Sequence, residues 1–99
     1  MKLTSVEEVL AAGTGERKLA VADGPHSRVT LWQLEPGQEI QPHVHEGDHV
    51  WVVQKGQGWL LTEAGEAAVA PGSLALVPEG EPHGMRAGTQ LVFVSVSAG

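Results

Sequence analysis

The stretch Gly37–Gly56, GQEIQPHVHEGDHVWVVQKG, contains three of the five histidines of the chain. His43 and His45 are two residues apart, so on a β-strand both side chains leave the same face. His49 follows after a glycine that permits a sharp bend, which lets it return to that face on the next strand. His83 begins a much later strand, and an antiparallel return can bring it opposite the other three. The spacing therefore predicts a shared face for His43 and His45 and allows four imidazoles to meet, with a solvated polar edge as the alternative.

The sequence on either side of this stretch has the pattern of short β-strands. Apolar side chains recur at every second position or in short valine-rich runs, and Pro-Gly pairs and other turn residues separate them. Eight to ten short strands at regular spacing are typical of an all-β sandwich or barrel. The clearest predicted strands cover residues 17–22, 27–35, 38–45, 49–54, 59–62, 67–70, 74–77, 83–87 and 90–96.

One short helix is predicted ahead of the strands, over residues 5–12. Ser5 is followed three residues later by Glu8, which is the capping-box pattern, and Gly13 ends the apolar periodicity. The N-terminal residues become acidic before an apolar segment can form, which is unlike a signal peptide. A cytoplasmic location is therefore expected.

Composition excludes several classes of chemistry and partner. The chain has 99 residues, enough for one domain, and it contains no cysteine, which excludes disulfides, thiolate metal sites and cysteine nucleophiles. The formal net charge is −6, so no nucleic acid and no anionic membrane surface is expected as a partner. No apolar run approaches the roughly 18 residues that a membrane-spanning segment needs.

The histidine-rich stretch and a second one resemble the two motifs of the cupin superfamily. The first motif covers residues 37–56 and the second covers residues 72–87, GSLALVPEGEPHGMRA. Both match in spacing and in order, which implies a single cupin domain over residues 1–99, of the small bacterial conserved-barrel type. The fold implied is a cupin-type jelly-roll β-barrel of antiparallel strands. The matching positions are Gly37, His43, His45, the ligand position 49, Gly56, Gly72, Pro78, Gly80 and His83.

The resemblance implies a metal site in which the ligands are His43, His45, His49 and His83. His49 stands where the family usually has a glutamate, and Ala87 stands where the second motif often has an asparagine. Imidazoles suit one divalent transition metal ion, such as Mn, Fe, Ni, Cu or Zn, and the sequence does not choose among them. Four neutral imidazoles would leave about two positive charges on the site, which favours anionic or chelating oxygen ligands.

Three further residues are candidates for the pocket around such an ion. Trp51 and Met85 each lie two residues beyond a histidine, so each either walls the pocket or fills the barrel core. Gln33 interrupts an apolar strand, where it either orients a ligand or faces solvent. Glu46 and Asp48 are interpreted as a solvated loop, with a general-base role as the alternative.

The resemblance leads to three functional hypotheses. The first is a metal-dependent, dioxygenase-like oxygenase that acts on a small oxygen-bearing organic substrate, with no acid or base residue identifiable. The second is a non-catalytic module that binds or senses a metal and a small ligand. The third is a redox-neutral metal-dependent isomerase or decarboxylase. A homodimer is also expected, because the early strand at residues 17–22 has an exposed edge that an N-terminal segment could cover.

Overall fold

The computed structural model describes all residues from 1 to 99, and they form one short helix followed by nine β-strands. This confirms the predicted fold class, an antiparallel all-β jelly roll with one N-terminal helix. Every predicted strand is present within a few residues of its expected bounds. The elements are α1 (Val6–Ala12), β1 (Lys18–Asp23), β2 (Ser27–Leu34), β3 (Glu39–His43), β4 (Asp48–Lys55), β5 (Gly58–Thr62), β6 (Gly65–Val69), β7 (Leu74–Val77), β8 (His83–Ala87) and β9 (Leu91–Ala98).

The strands form two antiparallel sheets. Five strands make one sheet in the order β1-β2-β9-β4-β7, and four make the other in the order β3-β8-β5-β6. The two sheets bury a common apolar cluster, in which Leu34, Leu91 and Phe93 are fully excluded from solvent. On β4 the side chains of Trp51 and Val53 belong to this buried set, as expected from the alternation of faces along a strand.

The strand expected over residues 38–45 is shorter than predicted, because β3 ends at His43. Its ladder with β8 is irregular between Ile40 and His43, where Pro42 has no N–H to donate. His45 therefore lies in the loop after the strand. The prediction that His43 and His45 share one strand face was wrong, although the loop still brings the two rings together.

The helix lies against part of the outer face of the five-stranded sheet, next to β1, β2 and β9. Ser5 caps it by accepting a hydrogen bond from the backbone N–H of Glu8 at 3.1 Å, as the sequence predicted. The chain has no helix with the length and apolarity that crossing a membrane requires. Beneath the helix, one small cavity is lined by residues of both elements, among them Val6, Val9, Val29, Leu31 and Val94.

Candidate metal centre

His43 and His83 lie opposite each other on the neighbouring strands β3 and β8. They are direct partners in the ladder, and their ring centroids are 4.8 Å apart. Nδ1 of His43 lies 2.7 Å from the carbonyl oxygen of Gln41, and Nδ1 of His83 lies 2.9 Å from that of Glu81. A carbonyl oxygen only accepts hydrogen bonds, so each Nδ1 carries the proton in the neutral ring. Each Nε2 is then left with a free lone pair.

The loop after β3 adds His45 to this pair. One ring nitrogen from each of His43, His45 and His83 lies within 4.8 Å of the other two. Two nitrogens bound to one ion at about 2.1 Å are at most about 4.2 Å apart, so a small side-chain adjustment completes coordination. Nε2 of His83 is buried and has no hydrogen-bond partner, whereas most buried polar atoms in proteins have one. The three histidines therefore fit a transition metal ion.

His49 is adjacent to this group without belonging to it. It lies on β4, is 8% exposed, and its ring centroid is 4.3 Å from that of His45 and 5.4 Å from that of His83. Its ring nitrogens are not among the three that lie within 4.8 Å of one another. His49 as the fourth ligand therefore stays a prediction. Its structural support is the proximity of its ring to the rings of His45 and His83.

The environment of His45 and His49 favours neutral imidazoles. Burial lowers the pKa of His49 from 6.5 to about 4, and the positive charges of the neighbouring histidines act in the same direction. Burial also lowers the pKa of His45, with smaller contributions from His43, His83 and Lys18. Neutral rings have the lone pairs that a metal ion needs, so no proton has to leave these two residues at neutral pH.

Hydrogen bonds join the loops that carry the histidines. The backbone N–H of Gly47 donates to a carboxylate oxygen of Glu79 at 2.6 Å, and the N–H of Glu79 donates to Asp48 at 3.1 Å. The N–H of Gly80 donates to the carbonyl oxygen of His45 at 3.3 Å. Asp48 therefore accepts a hydrogen bond from the facing loop. This contact is neither of the two roles considered from the sequence, a solvated loop residue or a general base.

Of the three pocket candidates, only Trp51 lines the cavity next to the histidines. Its indole N–H donates to the hydroxyl of Ser95 at 3.0 Å, and its ring centroid is 5.0 Å from that of His83. Met85 is 1% exposed in the apolar core, the alternative that the sequence left open. Gln33 does not line the cavity either, because its amide donates to the carbonyl oxygen of Glu16 at 2.8 Å.

The cavity beside the histidines has a volume of about 420 Å³ and a polar wall. Glu46 also reaches it, and is the only carboxylate among the lining residues. Most of this wall was not predicted from the sequence. The available signal was a pair of polar residues two positions apart on β2 and another on β9, although alternation alone does not say which face of β2 lines the cavity. The additional lining residues are Lys18, Arg28, Thr30, Trp32, Ser95 and Ser97.

Comparison with known proteins gives a consistent result. The family model described as the cupin domain matches residues 30–97 of the chain. No curated protein matches the sequence. Many solved structures do match, among them three that each cover 99% of the chain.

An uncharacterized conserved protein with a double-stranded β-helix domain from Klebsiella pneumoniae is 30% identical, with a TM-score of 0.86 over 99% of this chain and 90% of its own. TT1209 from Thermus thermophilus is 29% identical, with a TM-score of 0.85 over 99% and 97% of the two chains. The polyketide cyclase RemF from Streptomyces resistomycificus is 24% identical, with a TM-score of 0.78 over 99% and 79%. This last likeness concerns the fold alone.

Proposed function

The chain belongs to the cupin family, and on this premise we propose that it is a metal-dependent oxygenase acting on a small oxygen-bearing organic substrate. The observation that carries the proposal is the trio His43, His45 and His83, in which the buried Nε2 of His83 has no partner in the chain. An unsatisfied buried acceptor beside two further imidazoles is the donor set that a divalent transition metal prefers.

The chain's own residues would hold the ion and shape the space beside it. His43, His45 and His83 supply three nitrogens, and we propose His49 as the fourth. A bound ion of Mn, Fe, Ni, Cu or Zn would supply Lewis acidity, and a redox-active one would also supply electron transfer to dioxygen. Trp51 packs against His83 and limits the freedom of its ring. Backbone carbonyls fix the proton positions of His43 and His83, so that both rings present the same nitrogen.

The ligand proposed for this site is a small anionic or chelating oxygen compound. If all four imidazoles bind, they bring no negative charge, so the ion keeps about two positive charges for an enolate, carboxylate or phenolate. The cavity of about 420 Å³ has room for a small organic molecule next to the histidines.

Two measurements test the proposal in sequence. Plasma mass spectrometry of protein purified without added metal should find about one transition-metal ion per chain, and the variant His83→Ala should lose it. Oxygen uptake with a panel of diketones, catechols and styrene-type compounds should then require the metal. Product formed equally well without oxygen would instead identify a redox-neutral isomerase or decarboxylase. A protein that binds no metal would contradict the whole proposal.

A non-catalytic binding or sensing module is the second candidate. The observation that favours it is the near absence of acid or base groups, because Glu46 is the only carboxylate that lines the cavity and its side chain is exposed. A binding module would saturate with its ligand and release it unchanged. Turnover of any compound in the panel would exclude this candidate.

We also propose the homodimer that the sequence favours. Strand β1 lies at one edge of the five-stranded sheet, and Leu3 in the segment before it is 91% exposed. A second copy that paired through this edge in an isologous contact would cover the unpaired backbone groups. Light scattering should give twice the chain mass of 10.4 kDa, and a monomer mass would contradict the proposal. The cytoplasmic location stays a prediction.

A further inference from the structure

Lys18 differs from the other basic residues of the chain in having no polar partner. The others all bind a carboxylate or a carbonyl oxygen: Lys2 binds Val21, Arg17 binds Glu39, Arg28 binds Asp23, Lys55 binds Glu7, and Arg86 binds Glu66. The ammonium group of Lys18 instead lies 5.5 Å from the centre of the Trp32 ring. A cation over an aromatic face is held in position while its hydrogen-bond donors stay free.

Lys18 is one of the residues that line the histidine cavity. Lys18 pairs with Trp32 across the ladder between β1 and β2, and both side chains line the same cavity as His43 and His45. The cavity therefore has a histidine cluster and, on its five-stranded wall, an unpaired ammonium group.

The wall beside the ammonium group is hydroxylic. Thr30 and Ser95 are direct partners across the ladder between β2 and β9, and each is almost buried at 6% and 7% exposure. Ser97 continues the same face of β9. Hydroxyl groups bind oxygen atoms of a ligand without adding charge, so the charge selectivity of this wall comes from its cations.

We infer that Lys18 binds a carboxylate of the ligand, separate from the oxygen atoms that bind at the histidines. The inference rests on the proposed function and makes it more specific, since the substrate class becomes a chelating acid with a second, distal carboxylate. A monoanionic carboxylate fits better than a phosphate dianion, because the other cation of the wall, Arg28, is already paired with Asp23 at 3.2 Å. Lys18 is thus assigned as a specificity-determining residue.

Binding measurements with matched acids test this assignment without any turnover. Calorimetry on metal-loaded protein would compare 2-oxoglutarate with 2-oxopentanoate, and malate with 2-hydroxybutanoate. Within each pair the chelating head and the chain length are the same, and only the distal carboxylate differs. For at least one pair, we expect the diacid to bind about tenfold more tightly, the effect of one charge-assisted hydrogen bond.

Three variants attribute that preference to Lys18. Lys18→Met should abolish it and leave the affinity for the monoacid and the metal content unchanged, whereas Lys18→Arg should keep it. Lys55→Met is the matched control, because it removes a lysine at the end of β4 that is distant from His49. It should behave like the wild type. Equal binding of both acids in each pair, or a preference that survives in Lys18→Met, would overturn the assignment of Lys18 while leaving the proposed function standing. If no acid bound to the metal-loaded protein, the assignment of Lys18 would fail, and the proposed function would be decided by oxygen uptake with the diketones and catechols.

Discussion

His43 and His83 are direct partners across the ladder between β3 and β8, and both rings use the same nitrogen for a backbone contact. In each case Nδ1 bonds to the carbonyl oxygen of the residue two positions earlier, Gln41 or Glu81. The two histidines come from different sequence motifs 40 residues apart, so the fold itself repeats one local arrangement on two strands. The geometry of the centre therefore depends on the pairing of β3 with β8.

Removal of His83 should abolish stabilisation by metal. In the wild type, a saturating transition metal should stabilise the folded chain by about 3 kcal/mol at a hundredfold excess over Kd, because it binds only the folded state. His83→Ala removes the buried nitrogen that has no other partner, so its melting temperature should not rise on addition of metal. His26→Ala, which changes an exposed histidine in a turn, is the control and should respond like the wild type. A normal metal response in His83→Ala would place the ion elsewhere.

The role of His49 can be separated from that of the other three by restoring the carboxylate that the family usually has there. His49→Glu should keep the metal but bind oxalate more weakly than the wild type, because the carboxylate lowers the positive charge of the site by about one. His49→Ala should weaken metal binding at least tenfold. Calorimetry with metal and then with oxalate measures both effects. Unchanged metal affinity in His49→Ala would show that the site has three protein ligands.

The fold could be predicted from the sequence because its signals are local. Turn residues and apolar alternation define each strand, and the glycine and histidine spacing defines the two motifs. The candidate site was harder to predict from the sequence. The loop position of His45 depends on an irregularity in a long-range ladder at Pro42, which no local pattern reports.

The faces of β2 show most clearly why the rest of the site was missed. Leu31 on its outer face and Leu34 on its inner face are both fully buried, because the N-terminal segment and the helix lie over Leu31. Alternation alone could therefore not show that Thr30 faces the cavity and that Gln33 faces away from it. Lys18 became a candidate only when its partner strand was known.

The hydrogen bond between Trp51 and Ser95 should stabilise the wall of the cavity. Ser95→Ala would leave the buried indole N–H without a partner, which costs about 1–3 kcal/mol. Ser97→Ala changes the same residue type on the same face of β9, where no buried donor depends on it, and should alter stability by less than about 0.5 kcal/mol. Urea unfolding of both variants measures the difference. Equal stabilities would mean that the bond contributes nothing.

Acid should destabilise the metal-free protein over a defined range of pH. The pKa of His49 is about 4 in the folded chain and near 6.5 when the ring is free. Between these values the unfolded chain binds a proton that the folded chain does not, so stability is lost as the pH falls from about 6.5 to 4. The loss from this residue is at most about 3 kcal/mol. His49→Gln should show a shallower pH dependence in urea unfolding with a chelator present, and an unchanged slope would contradict this origin.

The close approach of β3 to β8 should depend on Gly84, the residue after His83. A Cβ atom at this position would overlap the carbonyl oxygen of Ile40 and would lie 2.9 Å from the backbone nitrogen of Pro42, well inside any real contact. Gly84→Ala should therefore force the strands apart, separate His43 from His83, and weaken metal binding at least tenfold under conditions where the chain is folded.

A second glycine separates this steric effect from a general intolerance of alanine. Gly72 has a φ of +91°, and a Cβ atom there would have no heavy atom within 4 Å, so Gly72→Ala adds backbone strain of about 1–2 kcal/mol but displaces no neighbour. It should lower the free energy of unfolding without changing metal affinity. Wild-type metal affinity in folded Gly84→Ala would show that the histidine pair does not require the close contact between the two strands.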